Sequence, residues 1–384
     1  MTVQESGATP PASGLAPRLT IDVIDLNPHA PRPFVFTEAA LCLRDSIRAS
    51  GLESNHRVNI ADPRGICIVL GALPPHHEPL RQLDRRKALV FNFEQLGSTS
   101  SIAGPEYLQW LRQWLVLDYH SRNVDHLRRL HGPAQQVMEL PIVPSPSLLL
   151  GPSLPADRCV DVLFFGSQSD RRTALLRQLE ESGLRVETVA GAYGDELTPA
   201  IRRARLVLHI HYYETGLFPV ARVLQPVVAG VPIVCESSVF SAGCDWSGSG
   251  IVFAPYEGLL EACRHLLSSE KEQQQRATMA REFAARIDFA GPFNQVLEAL
   301  RQRLSAPEPG AEVQGGHDAE TPLSTQQIEA ILEREASELP PEANLQAPAL
   351  KLAERQPGRG RYGRWIVALL VAFSLYTIWR SMQR

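Results

Sequence analysis

The sequence is nearly without lysine: Lys87, Lys271 and Lys351 are the only three, so arginine carries almost all the positive charge. With a formal net charge of −4 there is no basic stripe of the kind that nucleic-acid binding requires. An arginine bias follows genome composition as readily as anion binding, so on its own it names no ligand. The six cysteines (Cys42, Cys67, Cys159, Cys235, Cys244 and Cys263) form no C-x-x-C pair. That spacing gives no zinc framework and points to a reducing compartment. Cys67 and Cys235 sit in apolar strand patterns, where a thiol packs as a small hydrophobe. The N-terminus lacks a charged stretch followed by an apolar one, so no secretory signal is read there. Neither a G-x-G-x-x-G turn nor a Walker loop occurs.

What is present is enough for two globular domains. The chain has 384 residues, of which 44% are hydrophobic and 21% charged, a globular rather than a disordered composition. Residues 1–17 are rich in Pro, Gly, Ser and Ala and are expected to be disordered. An N-terminal domain is expected over 18–143. It contains a strand at 19–26, a helix at 37–50, and apolar β-branched strands at 65–71 and 88–93 with a polar helix-like segment between them. Helical patterns at 107–114 and 124–130 flank an extended 115–118, and a short strand closes the half at 138–141. Residues 144–155 (PSPSLLLGPSLP) read as the linker to a second domain over 156–305. There the alternation repeats: strands at 161–165, 233–235 and 251–254, one ending in the His211–Glu214 run, and helices at 258–267, 271–286 and 292–304. Strands alternating with helices predict open parallel sheets with helices on both faces.

Residues 306–363 read as a flexible linker holding one short helix at 324–339, opened by an S-x-x-Q capping box. Residues 365–379 (WIVALLVAFSLYTIW) form an uncharged apolar run with Trp at both ends and Arg364 and Arg380 flanking it. The run is shorter than the ~20 residues of a full span, but interfacial Trp and snorkelling Arg extend such ends. An amphipathic docking helix is the other reading, although no polar face can be drawn through it. A single transmembrane helix over 364–380 is therefore expected. The arginines upstream place the bulk of the chain on the cytoplasmic face, as in a bacterial inner membrane.

Ligands of such sheets bind outside the carboxyl ends of the strands, and the candidates lie there. Gly166-Ser167 follows a buried strand, and Arg171-Arg172 heads the next helix. The turn's N–H groups and the helix N-terminus favour an anion, whereas arginines there oppose the helix dipole. Phosphate contact and a solvated face are the two readings. His209 and His211 alternate as a strand pair and form an H-x-H couple, with no evident further metal ligands. Glu214 reads as an acceptor for a ribose or sugar hydroxyl. Arg222 lies eight residues on, and Gly230 before Val231-Pro232 is an ordinary helix C-cap. In the first half, Asn92-Phe93-Glu94-Gln95 and Asp118-Tyr119-His120-Ser121-Arg122-Asn123 stand at strand ends. Either group would contact an acceptor or supply a base; Glu94 and Asp118 also suit helix starts.

These motifs resemble those of group 1 type glycosyltransferases of the GT-B fold. The resemblance rests on G-S-x-x-x-R-R (Gly166, Ser167, Arg171, Arg172), H-Y-Y-E (His211 to Glu214), N-x-E-Q-L (Asn92 to Leu96) and the Asp118–Asn123 stretch. It implies two Rossmann-like domains, a nucleotide-sugar donor in the second, an acceptor in the first, and neither a required metal nor a cofactor. By the same resemblance, Gly166, Ser167, Arg171, Arg172, His211, Tyr213, Glu214, Arg222 and Gln225 would hold the donor. Asn92, Glu94, Tyr119 and Asn123 would face the acceptor, and Glu214 and Asp118 would be catalytic. Two positions depart from the family pattern. Gln225 stands where the family carries a second glutamate, keeping a hydrogen bond but losing the charge, and the D-Y-S serine is displaced by His120. The expected partners are the donor, a membrane, and a cell-surface glycan, lipid-linked or protein acceptor. A glycosyltransferase-like module that binds without turnover is the main alternative, and an epimerase or hydrolase on the same fold the third.

Overall fold

In the computed structural model the described residues are 19–27, 35–60, 65–73, 78–97, 103–132, 135–148, 158–213, 216–237, 246–288 and 290–305. The expected N-terminal tail, the 306–363 linker and the apolar run at 365–379 lie outside them.

The first half contains β1 (Ile21–Asp25), α1 (Thr37–Ala49), β2 (His56–Val58), β3 (Ile66–Leu70), β4 (Ala88–Asn92), α2 (Pro105–Leu111), β5 (Leu115–Asp118), α3 (Ser121–His131) and β6 (Val137–Glu139). Its six strands are all parallel, in the order β2-β1-β3-β4-β5-β6. The second half contains β7 (Val160–Phe165), α4 (Asp170–Glu181), β8 (Val186–Val189), α5 (Thr198–Arg203), β9 (Ala204–His209), α6 (Val220–Ala229), β10 (Ile233–Glu236) and β11 (Val252–Ala254). Helices α7 (Leu259–Ser268), α8 (Glu270–Arg286) and α9 (Gly291–Ser305) follow. The second sheet is parallel too, in the order β11-β10-β9-β7-β8.

Both strand parities are apolar because both faces are covered. Leu163 and Phe165 of β7 enter one core, while Val162 and Phe164 enter another under α4 and α7. In β3, Ile66, Ile68 and Leu70 face one core, and Cys67 and Val69 face the other under α2 and α3. The shared core joins the halves: α1, residues 140–148, α6 and α9 contribute Leu43, Leu140, Val227 and Phe293 to one cluster. Each sheet reverses its strand order once, at β1/β3 and at β7/β9, and such reversals open ligand crevices at the carboxyl ends.

Several expectations are corrected. The strand expected to run into His211 stops at His209, leaving 210–213 as a loop. The segment before β4 holds a 3-10 turn, Glu78–Gln82, rather than a helix. Strand β2 and helix α5 were not anticipated; β2 is a three-residue edge strand, too short to show a period. The start of the expected linker is packed rather than loose, with the Ser145 hydroxyl on Asp45 and the Arg44 guanidinium 2.9 Å from Ser147 Oγ. The expected single-pass anchor, and the localisation built on it, is also corrected. Among the described residues no helix is long and apolar enough to cross a membrane. The longest, α8, has 17 residues and is strewn with charge (EKEQQQRATMAREFAAR), well short of the ~20 apolar residues a span requires.

Candidate functional site

The β7/β9 reversal gathers the charged groups. Strand β7 ends at Phe165, and Gly166 turns the chain at φ +142°, a conformation that favours glycine. A Cβ on Gly166 would lie 3.4 Å from Arg222 Nη2 and 3.6 Å from Arg172 Nη1. Two guanidiniums therefore stand over this turn. Helix α4 starts just beyond, its first turn capped by the Ser169 hydroxyl, which accepts the Arg172 N–H at 3.3 Å.

The three arginines have different fates. Arg172 is buried, and its fork donates to the Ile210 carbonyl (Nε at 3.0 Å, and Nη2) and to the Ser167 carbonyl (Nη1 at 2.7 Å). It thus ties the loop after β9 to the turn after β7. Neither a solvated face nor an open phosphate contact describes it alone: two backbone carbonyls facing the interior require a donor. Burial, then the charge of Arg222, lower the Arg172 pKa to about 10, so it remains a cation at neutral pH.

Arg171 is neutralised. Its Nη1 donates to Glu236 Oε2 at 2.8 Å and Nη2 to Oε1, and its guanidinium lies 3.7 Å from the Tyr256 ring centre. Glu236 is 1% exposed and also accepts the His211 N–H at 2.8 Å. Sequence reading missed Glu236, and its signal was slight: an acidic residue closing an apolar strand, VPIVCE.

Arg222 is left over. It sits in the first turn of α6, half-buried, 5.5 Å from the Phe165 ring centre, with no hydrogen-bond or ion-pair partner among the described residues. Burial lowers its pKa, while Tyr193 and Glu38 oppose the shift.

His209 and His211 bring their rings to 5.3 Å. Burial holds His209 well below the usual histidine range and His211 at about 4, so both are neutral. Each Nε2 is buried without a hydrogen-bond partner. Among the described residues no group of three or more His, Cys, Asp and Glu is placed to hold a metal ion. Tyr213 is half-buried, and burial followed by the nearby Glu94 pushes its phenol up to about 12. Glu214 lies outside the described residues. Gln225 does not reach the turn. It is 3% exposed, and its Nε2 donates to Thr198 Oγ1 at 2.6 Å and lies 3.4 Å from the Gly194 carbonyl. The structure thus commits it to the start of α5.

In the first half, Asp118 has no exposed surface. Its oxygens accept from Asn92 Nδ2 (2.6 Å), the His120 N–H (2.9 Å) and Asn123 Nδ2 (3.1 Å). Burial raises its pKa well above the usual range. The geometry makes it the hub of a buried network. Asn92 and Asn123 belong to that network, not to an open surface, and Asn92 also accepts the Tyr107 hydroxyl at 3.0 Å. Glu94 and Tyr119 remain half-exposed. Tyr119 packs against Phe93 with ring centres 5.2 Å apart and tilted by 36°, and it lines a cavity of about 810 Å³. Phe218, Trp246 and Phe283 form its aromatic wall from the second half, with Arg286 and Glu139 also lining it.

No family model matches the chain. It is 31% identical over 103 residues to uncharacterized protein L138 of Acanthamoeba polyphaga mimivirus, covering 26% of this chain and 12% of that protein. It is 23% identical over 184 residues to uncharacterized protein L140 of the same virus, covering 45% and 59%. The chain therefore spans only part of the length of these curated relatives. Among solved structures it is similar to the sucrose-phosphate synthase of Thermosynechococcus elongatus (TM-score 0.48, 13% identity, 76% of this chain and 100% of that one). It is also similar to a glycosyltransferase from Rickettsia africae (0.47, 7%, 76% and 100%) and to Anabaena HepE in complex with UDP-glucose (0.46, 13%, 74% and 100%). What its site does rests on the site's own geometry.

Proposed function

We propose that the protein transfers a sugar from a nucleotide-sugar donor to a hydroxyl-bearing acceptor, with the donor's diphosphate seated at the Gly166-Ser167 turn. The observation that carries this reading is Arg222, a half-buried cation with no hydrogen bond or ion pair among the described residues, placed over a glycine turn beside Arg172 and the N-terminus of α4. A cation in that setting is costly unless an anion arrives. A leaving nucleoside diphosphate develops negative charge as the glycosidic bond breaks, and fixed donors stabilise it without reorganising. On this reading Arg172, Arg222 and the backbone of Gly166 and Ser167 hold the diphosphate. His211 and Tyr213 line the same loop, and Arg171 acts indirectly, through Glu236. The acceptor approaches from the side of the first half, through the Tyr119 cavity, whose aromatic wall comes from the second half with polar groups beside it, the usual make-up of a small-ligand pocket.

One observation favours a second reading, a module that binds the nucleotide without turnover. Gln225 stands where the resemblance expects a glutamate, and it is occupied by Thr198. Calorimetric titration of the full chain with UDP, GDP and ADP tests the donor site, and release of nucleotide from the corresponding sugar nucleotides separates the two readings. Binding to none of the three would sink both. Binding without release in the presence of acceptor sugars would leave the second.

A further inference from the structure

We infer that the acceptor of the transfer is an aromatic hydroxyl compound, a phenol or an alcohol borne on a ring body, and that the cavity beside Tyr119 selects it. This rests on the glycosyl-transfer reading above and adds to it the chemical class of the acceptor.

The cavity holds about 810 Å³, inside the range of roughly 300–1,000 Å³ for small-molecule pockets. One wall is a row of three rings from the second half. The ring centres of Phe218 and Trp246 are 5.0 Å apart, and those of Trp246 and Phe283 5.2 Å apart, with tilts of 38° and 32°. Ile142, Val143 and Ile287 extend the apolar surface, and Tyr119 brings a fourth ring from the first half. Phe218 is 1% exposed and Trp246 9%, so packing in the protein core already fixes the row. A flat ring presented to it meets the tilted and offset partners that aromatic pairs prefer, with centroids about 4.5–7 Å apart.

The polar groups that line the cavity are largely engaged with the protein itself. Asp288 Oδ1 accepts the N–H groups of Ala290 and Gly291, both at 3.0 Å, and so closes the turn into α9. Arg286 Nε donates to the Glu282 carbonyl at 3.2 Å, and its Nη2 lies 3.8 Å from Glu282 Oε2. His120 Nδ1 accepts the Arg122 N–H at 3.1 Å, and Glu139 takes the N–H of Ser121. Gln295, on α9, differs: among the described residues its amide makes no hydrogen bond. A saccharide carries a hydroxyl on most of its carbons, and each one buried here would give up water for too few partners. An aromatic body with one or two hydroxyls matches a wall of rings beside a single unengaged amide.

The place of the cavity suits an acceptor. Both crossings between the halves line it: residues 141–143 lead away from β6, and residues 286–292 lead from α8 into α9. The far end of α9 rests on the first half, where the Leu304 carbonyl accepts Arg86 Nη2 at 3.0 Å. A ligand in the cavity therefore touches both halves. Val220, the first residue of α6, lines it too, and Arg222 follows two residues later, about 3 Å further along the helix axis. The acceptor is thus brought to the end of α6 that carries the guanidinium assigned to the diphosphate. In the transfer the acceptor oxygen bonds to the anomeric carbon and its proton passes to water. The bond from that carbon to the phosphate breaks, and its electron pair leaves on the diphosphate.

The test uses the full chain with umbelliferone as a fused-ring phenol, cellobiose as a saccharide and octanol as an alkyl alcohol. In calorimetry umbelliferone is expected to bind at least about tenfold more tightly than either of the others. Phe283→Ala, which removes a half-buried ring, should weaken it about fivefold or more. Gln295→Trp, at an exposed position, should fill the cavity and abolish umbelliferone binding while leaving UDP affinity unchanged. With UDP-glucose, GDP-mannose or ADP-glucose as donor, mass spectrometry should show one hexose added to umbelliferone. Equal or tighter binding of cellobiose or octanol, or unchanged umbelliferone affinity in Gln295→Trp, overturns the assignment. Displacement of umbelliferone by UDP overturns it as well, since the cavity would then belong to the donor site. If the nucleotides bind and umbelliferone does not, the acceptor class alone falls. If umbelliferone binds and none of UDP, GDP and ADP does, the donor site falls and the acceptor role with it.

Discussion

The guanidinium of Arg171 closes on both carboxylate oxygens of Glu236, two residues separated by 65 positions in the chain, at the carboxyl edge of the second sheet. The pair removes one positive charge from a site that otherwise holds three guanidiniums, and it also fixes the backbone of His211.

Glu236→Gln separates these two effects. Removing one member of a buried pair leaves the other uncompensated, so unfolding in urea should show a loss of roughly 3 kcal/mol. The same change adds one net positive charge beside the Gly166 turn. UDP affinity, measured by calorimetry at low salt, should rise several-fold, and the gain should vanish at 1 M salt as screening shortens to about 3 Å. A fall in affinity would mean that Glu236 touches the ligand itself.

Arg222 behaves in the opposite sense. It has no hydrogen bond or ion pair among the described residues and its charge lowers the Arg172 pKa, so Arg222→Met should not lower the melting temperature and should raise it by about 2 °C. UDP affinity should fall at least tenfold. Loss of stability together with unchanged affinity would show a structural arginine instead.

His211 supplies a pH test. Its folded pKa is about 4 against an ordinary 6.5, so the folded state binds fewer protons than the unfolded state between those values. The stability that its neutral form contributes is complete above pH 6.5 and is lost as pH falls through 4, a change of about 3 kcal/mol. His211→Gln carries no such proton. Its stability relative to wild type should therefore improve by that order between pH 7 and pH 4, read from urea midpoints at each pH. Parallel curves would place His211 in contact with solvent.

Asp118→Asn distinguishes a network hub from a catalytic acid. The new amide would point a donor at one that already donates, so a stability loss of about 2–3 kcal/mol is expected. UDP affinity and turnover per folded molecule should not change. Lost turnover with unchanged stability would restore a chemical role.

Asp118 also shows how far the sequence could be read. An aspartate between an apolar strand and a helix start marks the carboxyl edge of a sheet, and that placement was legible. Whether its oxygens face a ligand or two asparagines depends on β4 lying beside β5, which brings Asn92 to within 2.6 Å. Gln225 repeats the lesson, since its partner Thr198 belongs to a helix that its six residues left without a visible period. Glu94 and Asp118 looked equivalent as polar residues after strands, and only burial and partnering set them apart.

The sequence by itself determined the two parallel α/β halves and the turn at Gly166. Strands apolar on both parities must be covered on both faces, and a glycine after such a strand opens a crevice. The tertiary structure decided the charges. Strand order placed Glu236 against Arg171 and the Ile210 carbonyl against Arg172, and it left Arg222 without a hydrogen-bond or ion-pair partner among the described residues. Electrostatic pairing depends on distance in space and on burial, and neither can be read from separation along the chain.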